Sequence, residues 1–351
     1  MKKSAFHYST IFVSVVVGLG ILTAIPASAD RSPHLSPLTF STCKPAPSPA
    51  ILVALPNLNA LAFVDTATQE VEQIDSVPGN PRDLLMHPRR ALAFISVNNN
   101  TEIEYFDLLC QKSIAVISFP TAFSGMQVSD DGMELFVLDG TRSNLLVISV
   151  RTQRVIQTYV LPSQGLGFAY SKKAHELFVA EPSVNKIGVI DTHTGTTDQP
   201  ISPSGCHRPI HGCTPLGIQA PAAGQYLFVT DGAGGIAIFN AVTHLQLVNF
   251  GGGSGGVSSL GGFDQALNGV SSFFNGRRET TVGVSSSVPP FNTLFGWAIS
   301  GPGRTTIVSL SFDSAGVGYG SDEHRVIFLY PDGTTKRLEM GTLTIGTAFY
   351  P

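Results

Sequence analysis

Short apolar runs separated by turn residues recur along this chain at a fixed interval. Leu52, Phe94, Phe136 and Phe178 stand 42 residues apart, and Asp65, Asp107, Ser149 and Asp191 keep the same spacing. Each pair brackets two strand-like runs, as in Leu135-Phe-Val-Leu-Asp139 followed by Asn144-Leu-Leu-Val-Ile-Ser149. A period of ~40–50 residues made of short strands marks a β-propeller blade, a unit that buries its faces only by stacking on its neighbours.

Seven turn-like marks punctuate the chain: Pro88-Arg-Arg90, Asp130-Asp-Gly132, Lys172-Lys-Ala174, Ala222-Ala-Gly224, Leu267-Asn-Gly269, Asp313-Ser-Ala-Gly316 and Tyr350-Pro351. A short strand precedes each mark, with Leu84, Met126, Phe168, Ile218, Phe263, Leu310 and Thr347 in one column. The position just before that column reads Asp83, Gly125, Gly167, Gly217, Gly262, Ser309 and Gly346. Strands crowded round a central axis leave no room for side chains, so the glycines mark the innermost strand of each blade. The chain starts with three outer strands near residues 50–75 and ends on a lone inner strand, Leu343 to Tyr350. The expected fold is therefore all-β, a seven-bladed propeller of four-stranded antiparallel blades. The C-terminal strand completes the first blade and removes free edges.

Three pieces carry a family resemblance. They are Leu177-Phe-Val-Ala-Glu181, Lys186-Ile-Gly-Val-Ile-Asp191-Thr192 with His193-Thr-Gly195, and Gly217-Ile-Gln-Ala-Pro221. The chain resembles the YVTN family of seven-bladed propellers, in its YncE-like branch, over about 50–245 and 317–351. The stretch 250–305 lacks the pattern. The resemblance implies a fold and no particular activity, because propellers host unrelated functions.

Composition narrows the class. Lys2 and Lys3 before the apolar stretch Ile11 to Ile25, then Ala27-Ser28-Ala29, read as a signal peptide over residues 1–29. Residues 30–48 are a Pro/Ser-rich lead-in, and 49–351 are a single propeller domain. The mature chain is expected to be exported, periplasmic or extracellular, with no membrane span. Without Lys2 and Lys3 it carries 19 basic against 25 acidic side chains, a charge of −6. No basic stripe is present, so nucleic acid is not an expected partner. Four cysteines in an exported chain point to two disulfides with three possible connectivities. Cys206 and Cys213 are close enough to close a small loop, which leaves Cys43 for Cys110.

Candidate chemistry is sparse. Among the channel-lining columns only Asp83 and Asp264 are carboxylates, with Gln127 and Gln219 as amides, too few ligands for a divalent cation. Neither metal nor cofactor is expected. Cys206-His207-Arg-Pro-Ile-His211-Gly-Cys213 has the residue types of a zinc or copper site, but lacks the long spacer between ligand pairs. A disulfide-pinned loop carrying two histidines is the preferred reading. An acid recurs after the second strand at Asp139, Glu181, Asp231 and Asp322, where it can cap a turn or form an anionic rim.

Loops from second to third strands share a face with those running from a fourth strand to the next blade. That face gathers Asn98 to Thr101, Asp139 to Asn144, Glu181 to Asn185, Asp231 to Gly235, Asp322 to His324, the Cys206–Cys213 insertion and the Gly251–Gly262 loop. The candidate binding residues are thus Asp83, Asn98, Asp139, Glu181, His207, His211, Asp231, Asp264, Asp322 and His324. No catalytic signature is present, since Gly-x-Ser-x-Gly, a Walker loop and His-Glu-x-x-His are all missing. The preferred function is a monomeric, non-catalytic platform for a protein or glycan of the cell envelope. The alternatives are a lactonase-like hydrolase using Asp83, His207, His211 and Asp264, or a redox or metal-handling subunit using Cys206 to Cys213. Intact mass of the mature chain checks the cysteines. Two disulfides lower it by four hydrogens and leave no thiol for alkylation, whereas a metal-binding loop retains two alkylatable thiols.

Overall fold

Alternating apolar residues build seven small antiparallel sheets in a computed structural model of the chain. The structure describes residues 46–350, except 205–213, 221–223, 232–234, 251–258, 265–268, 276–278, 287, 292, 301–306 and 314. Sheet 1 takes Thr347–Tyr350, Ala50–Leu55, Ala60–Asp65 and Val71–Ser76 in that lateral order. Sheet 2 runs Leu84–Met86, Leu92–Val97, Glu102–Asp107 and Lys112–Ser118. Sheet 3 runs Gly125–Val128, Glu134–Leu138, Asn144–Ser149 and Arg154–Val160. Sheet 4 has Phe168–Ser171, Glu176–Glu181 and Lys186–Asp191. Sheet 5 follows with Pro215–Gln219, Tyr226–Asp231, Ile236–Asn240 and Gln246–Phe250. Sheet 6 comprises Ser259–Asp264, Gly269–Asn275, Glu279–Ser286 and Thr293–Ser300, and sheet 7 Ser309–Phe312, Gly318–Ser321, Arg325–Leu329 and Thr335–Glu339. Among the described residues there is no α-helix, only two three-residue 3-10 turns.

Period-two alternation sends successive residues to opposite faces, and each face meets a neighbouring sheet. Ala93, Ile95 and Val97 join the cluster with Leu52 and Phe63 of sheet 1, whereas Phe94 joins Leu135 and Val137 of sheet 3. The four residues of the 42-residue register, Leu52, Phe94, Phe136 and Phe178, each pack against the following sheet. Further clusters join sheets 6 and 7 through Val282, Val284, Ile327 and Leu329, and sheets 7 and 1 through Phe328, Tyr319, Ile51 and Val53. Phe291 beside sheet 6 packs on Phe228 and Ile238 of sheet 5.

The aligned column of inner-strand residues falls in true register. Leu84 faces Ile95, Met126 faces Val137, Phe168 faces Val179 and Ile218 faces Val229. Inner strands meet laterally by side chains as well: the Gln127 amide donates to the Phe168 carbonyl, and the Ser309 and Thr347 hydroxyls lie 2.8 Å apart. Thr347 pairs with Val53 and Tyr350 with Ala50, so the C-terminal strand does extend the first sheet. It is shorter than expected, because Leu343 to Gly346 lie outside the ladder, although Gly346 accepts a hydrogen bond from the Ala54 N–H at 3.0 Å.

Two further differences from the sequence expectation have a local cause. Sheet 4 has three strands instead of four. Its outer position is filled by residues 197–201, which touch the third strand only through the bridges Ile190↔Thr197 and Ile187↔Ile201. Pro200 interrupts that segment and has no N–H to give a ladder. The Gly-rich stretch expected as a loop to Gly262 enters a strand at Ser259. Sheet 6 thus keeps four strands despite its departure from the repeat, with register shifts between Leu260 and Phe263 and between Val284 and Ser285.

Ala46 donates its N–H to the Leu108 carbonyl at 2.8 Å, which brings the incoming chain beside Cys110. Cys110 is the one cysteine among the described residues, and no free thiol occurs there. Cys43, Cys206 and Cys213 lie outside them.

The glycine column has a measurable basis. A Cβ on Gly346 would sit 2.3 Å from the Arg82 carbonyl oxygen, a backbone atom that cannot swing aside, whereas one on Gly125 would meet only Phe168 at 3.7 Å. Gly346→Ala should therefore cost ~1–3 kcal/mol in denaturant unfolding and Gly125→Ala well under that. Equal effects would remove the crowding argument.

Candidate functional site

Two of the four acids expected to form a rim, Asp139 and Asp322, are spent on their own turns. The Asp139 carboxylate accepts from the Thr141 hydroxyl at 2.9 Å, the Asn144 amide at 2.8 Å and the Ser143 N–H at 3.1 Å. Burial is the largest effect on its pKa and raises it, but the Asn144, Thr141 and Ser143 hydrogen bonds outweigh burial and leave it lowered. Asp322 is buried, pairs with the Arg325 guanidinium at 2.8 Å and accepts the His324 N–H at 3.1 Å. His324 stays exposed. Asp231 closes its strand opposite Pro215, and Asp264 closes the inner strand of sheet 6 opposite Gly269. His207 and His211 lie outside the described residues.

Asn98 begins a run of three left-handed residues, Asn98, Asn99 and Asn100, with φ of 52°, 59° and 63°. Asparagine tolerates this conformation because its short side chain bonds locally. Here Asn98 donates to Glu102, and Asn99 accepts from Asn80 at 2.9 Å and Arg82 at 3.1 Å. Water reaches Asp83 on the neighbouring inner edge, yet desolvation by the surrounding protein raises its carboxyl pKa, opposed by Ser96 and Arg82. The Ser96 hydroxyl meets Asp83 Oδ2 at 3.4 Å.

Glu181 behaves differently from the other acids. It ends the second strand of sheet 4 and is 1% exposed, and its Oε1 has no hydrogen-bond partner. Burial raises its pKa, with Ser163 and Lys186 opposing. The carboxyl lies over Gly188 of the adjacent strand, where a Cβ would stand 2.9 Å from Oε1. Beside it a cavity of about 220 Å³ runs between Leu161 and Pro162, just past the last strand of sheet 3, and the edge of sheet 4 at Thr197, Asp198 and Pro200. A second cleft of about 280 Å³ opens at the other end of the same seam, among Glu134, Gln157, Tyr159 and His193. Burial pushes up the pKa values of both Glu134 and Tyr159, and the Glu134 carboxylate adds to the rise at Tyr159.

Glu104 was not singled out by sequence reasoning, although the repeat could have exposed it. The register column reads Ala62, Glu104, Leu146 and Gly188 at intervals of 42, so a carboxylate and a glycine both break an apolar position. Glu104 is fully buried and neither oxygen has a hydrogen-bond partner. Burial pushes its pKa up to about 6, Ser113 opposing and Glu102 adding. Among the described residues no three His, Cys, Asp or Glu side chains converge to hold a metal.

The same arrangement of sheets occurs in solved structures. A functionally unknown protein from Desulfotomaculum acetoxidans superposes with a TM-score of 0.70 at 13% identity, covering 86% of this chain and 99% of that one. The β-propeller domain of Myceliophteria thermophila Cps50 (Swd1) gives 0.62 at 11%, covering 76% and 88%. This chain has a β-propeller fold. Dihydro-heme d1 dehydrogenase NirN, in complex with DHE, gives 0.60 at 13%, covering 89% of this chain and 78% of that one. No family model and no curated protein sequence matches the propeller.

The buried acid yields a pH test. The Glu104 pKa in the folded state, about 6, lies above its ordinary 4.5, so the native state holds the proton more tightly. Its penalty is absent below about pH 4.5, grows as pH rises and is complete above about 6. Glu104→Gln should stabilise the protein by about 2 kcal/mol at pH 7.5, from ~1.36 kcal/mol per pKa unit, and flatten that part of the stability–pH curve. An unchanged curve would show that Glu104 is not desolvated.

Proposed function

We propose that this protein is an exported seven-bladed propeller that serves as a non-catalytic binding platform for a protein or glycan of the cell envelope. Seven sheets, each opening on an inner strand, and the pairing of Thr347–Tyr350 with Ala50–Leu55 support a closed ring. Export is supported by the charged, apolar and small-residue segments over residues 1–29. The position of Ala46 against Leu108 favours a Cys43–Cys110 disulfide.

The observation that carries the platform reading is the seam between sheets 3 and 4. There the regular fourth strand is missing and a cavity holds an unsatisfied buried carboxyl on the loop-side end. Pockets with few polar groups and irregular edges are where propellers and other scaffolds place ligands. The neighbouring insertion springs from anchored ends: the Ser204 N–H bonds Gln246 at 2.8 Å, and the Thr214 hydroxyl bonds Asn185 at 2.8 Å. The raised pKa of Asp83 is the one observation favouring the lactonase-like alternative.

Cross-linking capture from native envelope tests the platform, comparing the wild type with a variant lacking residues 205–213. A defined partner retained by the wild type and lost from the variant is expected. Capture of nothing above background by either, with lactone turnover that Asp83→Asn abolishes, would replace the platform by the hydrolase.

A further inference from the structure

Glu181 lies in a setting that no turn or ladder explains. A carboxylate buried without a full set of donors is costly, and burial alone pushes it toward the neutral form. The fold supplies Ser163 and Lys186 against that push, yet Oε1 stays open. Glu181 lines the cavity of about 220 Å³, whose other walls include Gly188, Leu161, Pro162, Ile190 and Pro200. Asp198, an exposed residue, also lines the cavity and adds a second acid to its wall. Gly188 makes the arrangement possible, since any side chain there would occupy the space of the Glu181 carboxyl.

These features select among cations. A divalent metal needs ~6–8 oxygen ligands, and the cavity offers two carboxylates. A guanidinium fork matches two free oxygens of one carboxylate, and here one oxygen is open. An ammonium is a point charge that a single buried acceptor can meet, and a hydrocarbon stem suits the apolar walls. The volume is below the ~300–1,000 Å³ of pockets for drug-sized molecules, so one side chain or one small amine fills it.

We propose that this cavity binds a primary ammonium on an aliphatic stem, either the lysine side chain of a partner or a free alkylamine. The inference rests on the binding-platform reading and names the chemistry of its loop-side pocket. An ammonium entering the pocket neutralises Glu181, so its binding favours the ionised carboxyl and strengthens as pH rises toward neutrality.

Amide NMR of the mature chain, titrated with 1-butylamine, a backbone-blocked lysine, a backbone-blocked arginine and 1-pentanol, tests this. Saturable shifts at the Gly188, Ile190 and Thr197 amides are expected with the first two probes only. Butylamine binding as tightly as blocked lysine assigns a free amine, and tighter binding of blocked lysine assigns a partner side chain. Glu181→Gln should weaken the amines about tenfold or more, the loss of one charge-assisted hydrogen bond. Gly188→Ala, which displaces the carboxyl, should weaken them too, with thermal melting of both variants recorded alongside. No saturable shift in the wild type, equal response to pentanol, or unchanged affinity in folded Glu181→Gln would overturn the proposal. Its failure is separable from that of the platform: a chain that captures an envelope partner but ignores amines loses this inference alone.

Discussion

Everything in this structure depends on the two-sided burial of its sheets. A strand sends alternate side chains to opposite faces, and in the central strands both faces are apolar. In Leu92–Val97 all six residues are buried, so neither face can meet water. The only partners available are the neighbouring sheets, and each cluster of buried residues joins one sheet to the next. The outer strands escape the requirement. Val71–Ser76 and Arg154–Val160 are largely exposed, and their sequences tolerate charge and irregularity. Variation is therefore cheapest at the rim and dearest near the axis, where Gly346 has a backbone oxygen in place of a side chain's room.

Sheet 4 shows how a functional feature can arise within that constraint. Its inner three strands keep the register, so the packing on sheets 3 and 5 is preserved. Its rim does not, because Pro200 removes a donor and only two bridges hold the edge. The repeat position that carries Leu146 in sheet 3 carries Gly188 here. Removing that side chain opens volume, and the Glu181 carboxyl turns into it. A cavity with a buried acid thus costs the core little, since the apolar contacts nearer the axis are untouched.

The acids divide into two physical classes. Asp139, Asp322 and Asp65 sit at strand ends where turn N–H groups point at them, and such hydrogen bonds offset the loss of water. Glu104 and Glu181 sit against packed faces, where too few donors converge. The first class holds turns in shape. The second stores an electrostatic imbalance that a proton or a cation can relieve, and that makes it the more informative about ligands.

The repeat was legible from the sequence because two-sided burial is written into every strand, and a 42-residue interval fixes which residues share a register. Leu84, Met126, Phe168 and Ile218 could be aligned without coordinates and pair as their column implies. The inner glycines were legible for the same reason, as were Asp139 and Asp322 as turn acids. Sheet 6 was not, since its longer strands of seven and eight residues depart from the repeat while making the same ladders. Nor was the distinct role of Glu181, which shares its sequence position with Asp139. Sequence determined the strands, their order and the faces they bury, because those follow from local alternation. Which acid lost its hydrogen-bond donors, and where a cavity opened, was decided by tertiary structure alone, because both depend on how neighbouring sheets fill or leave the space between them.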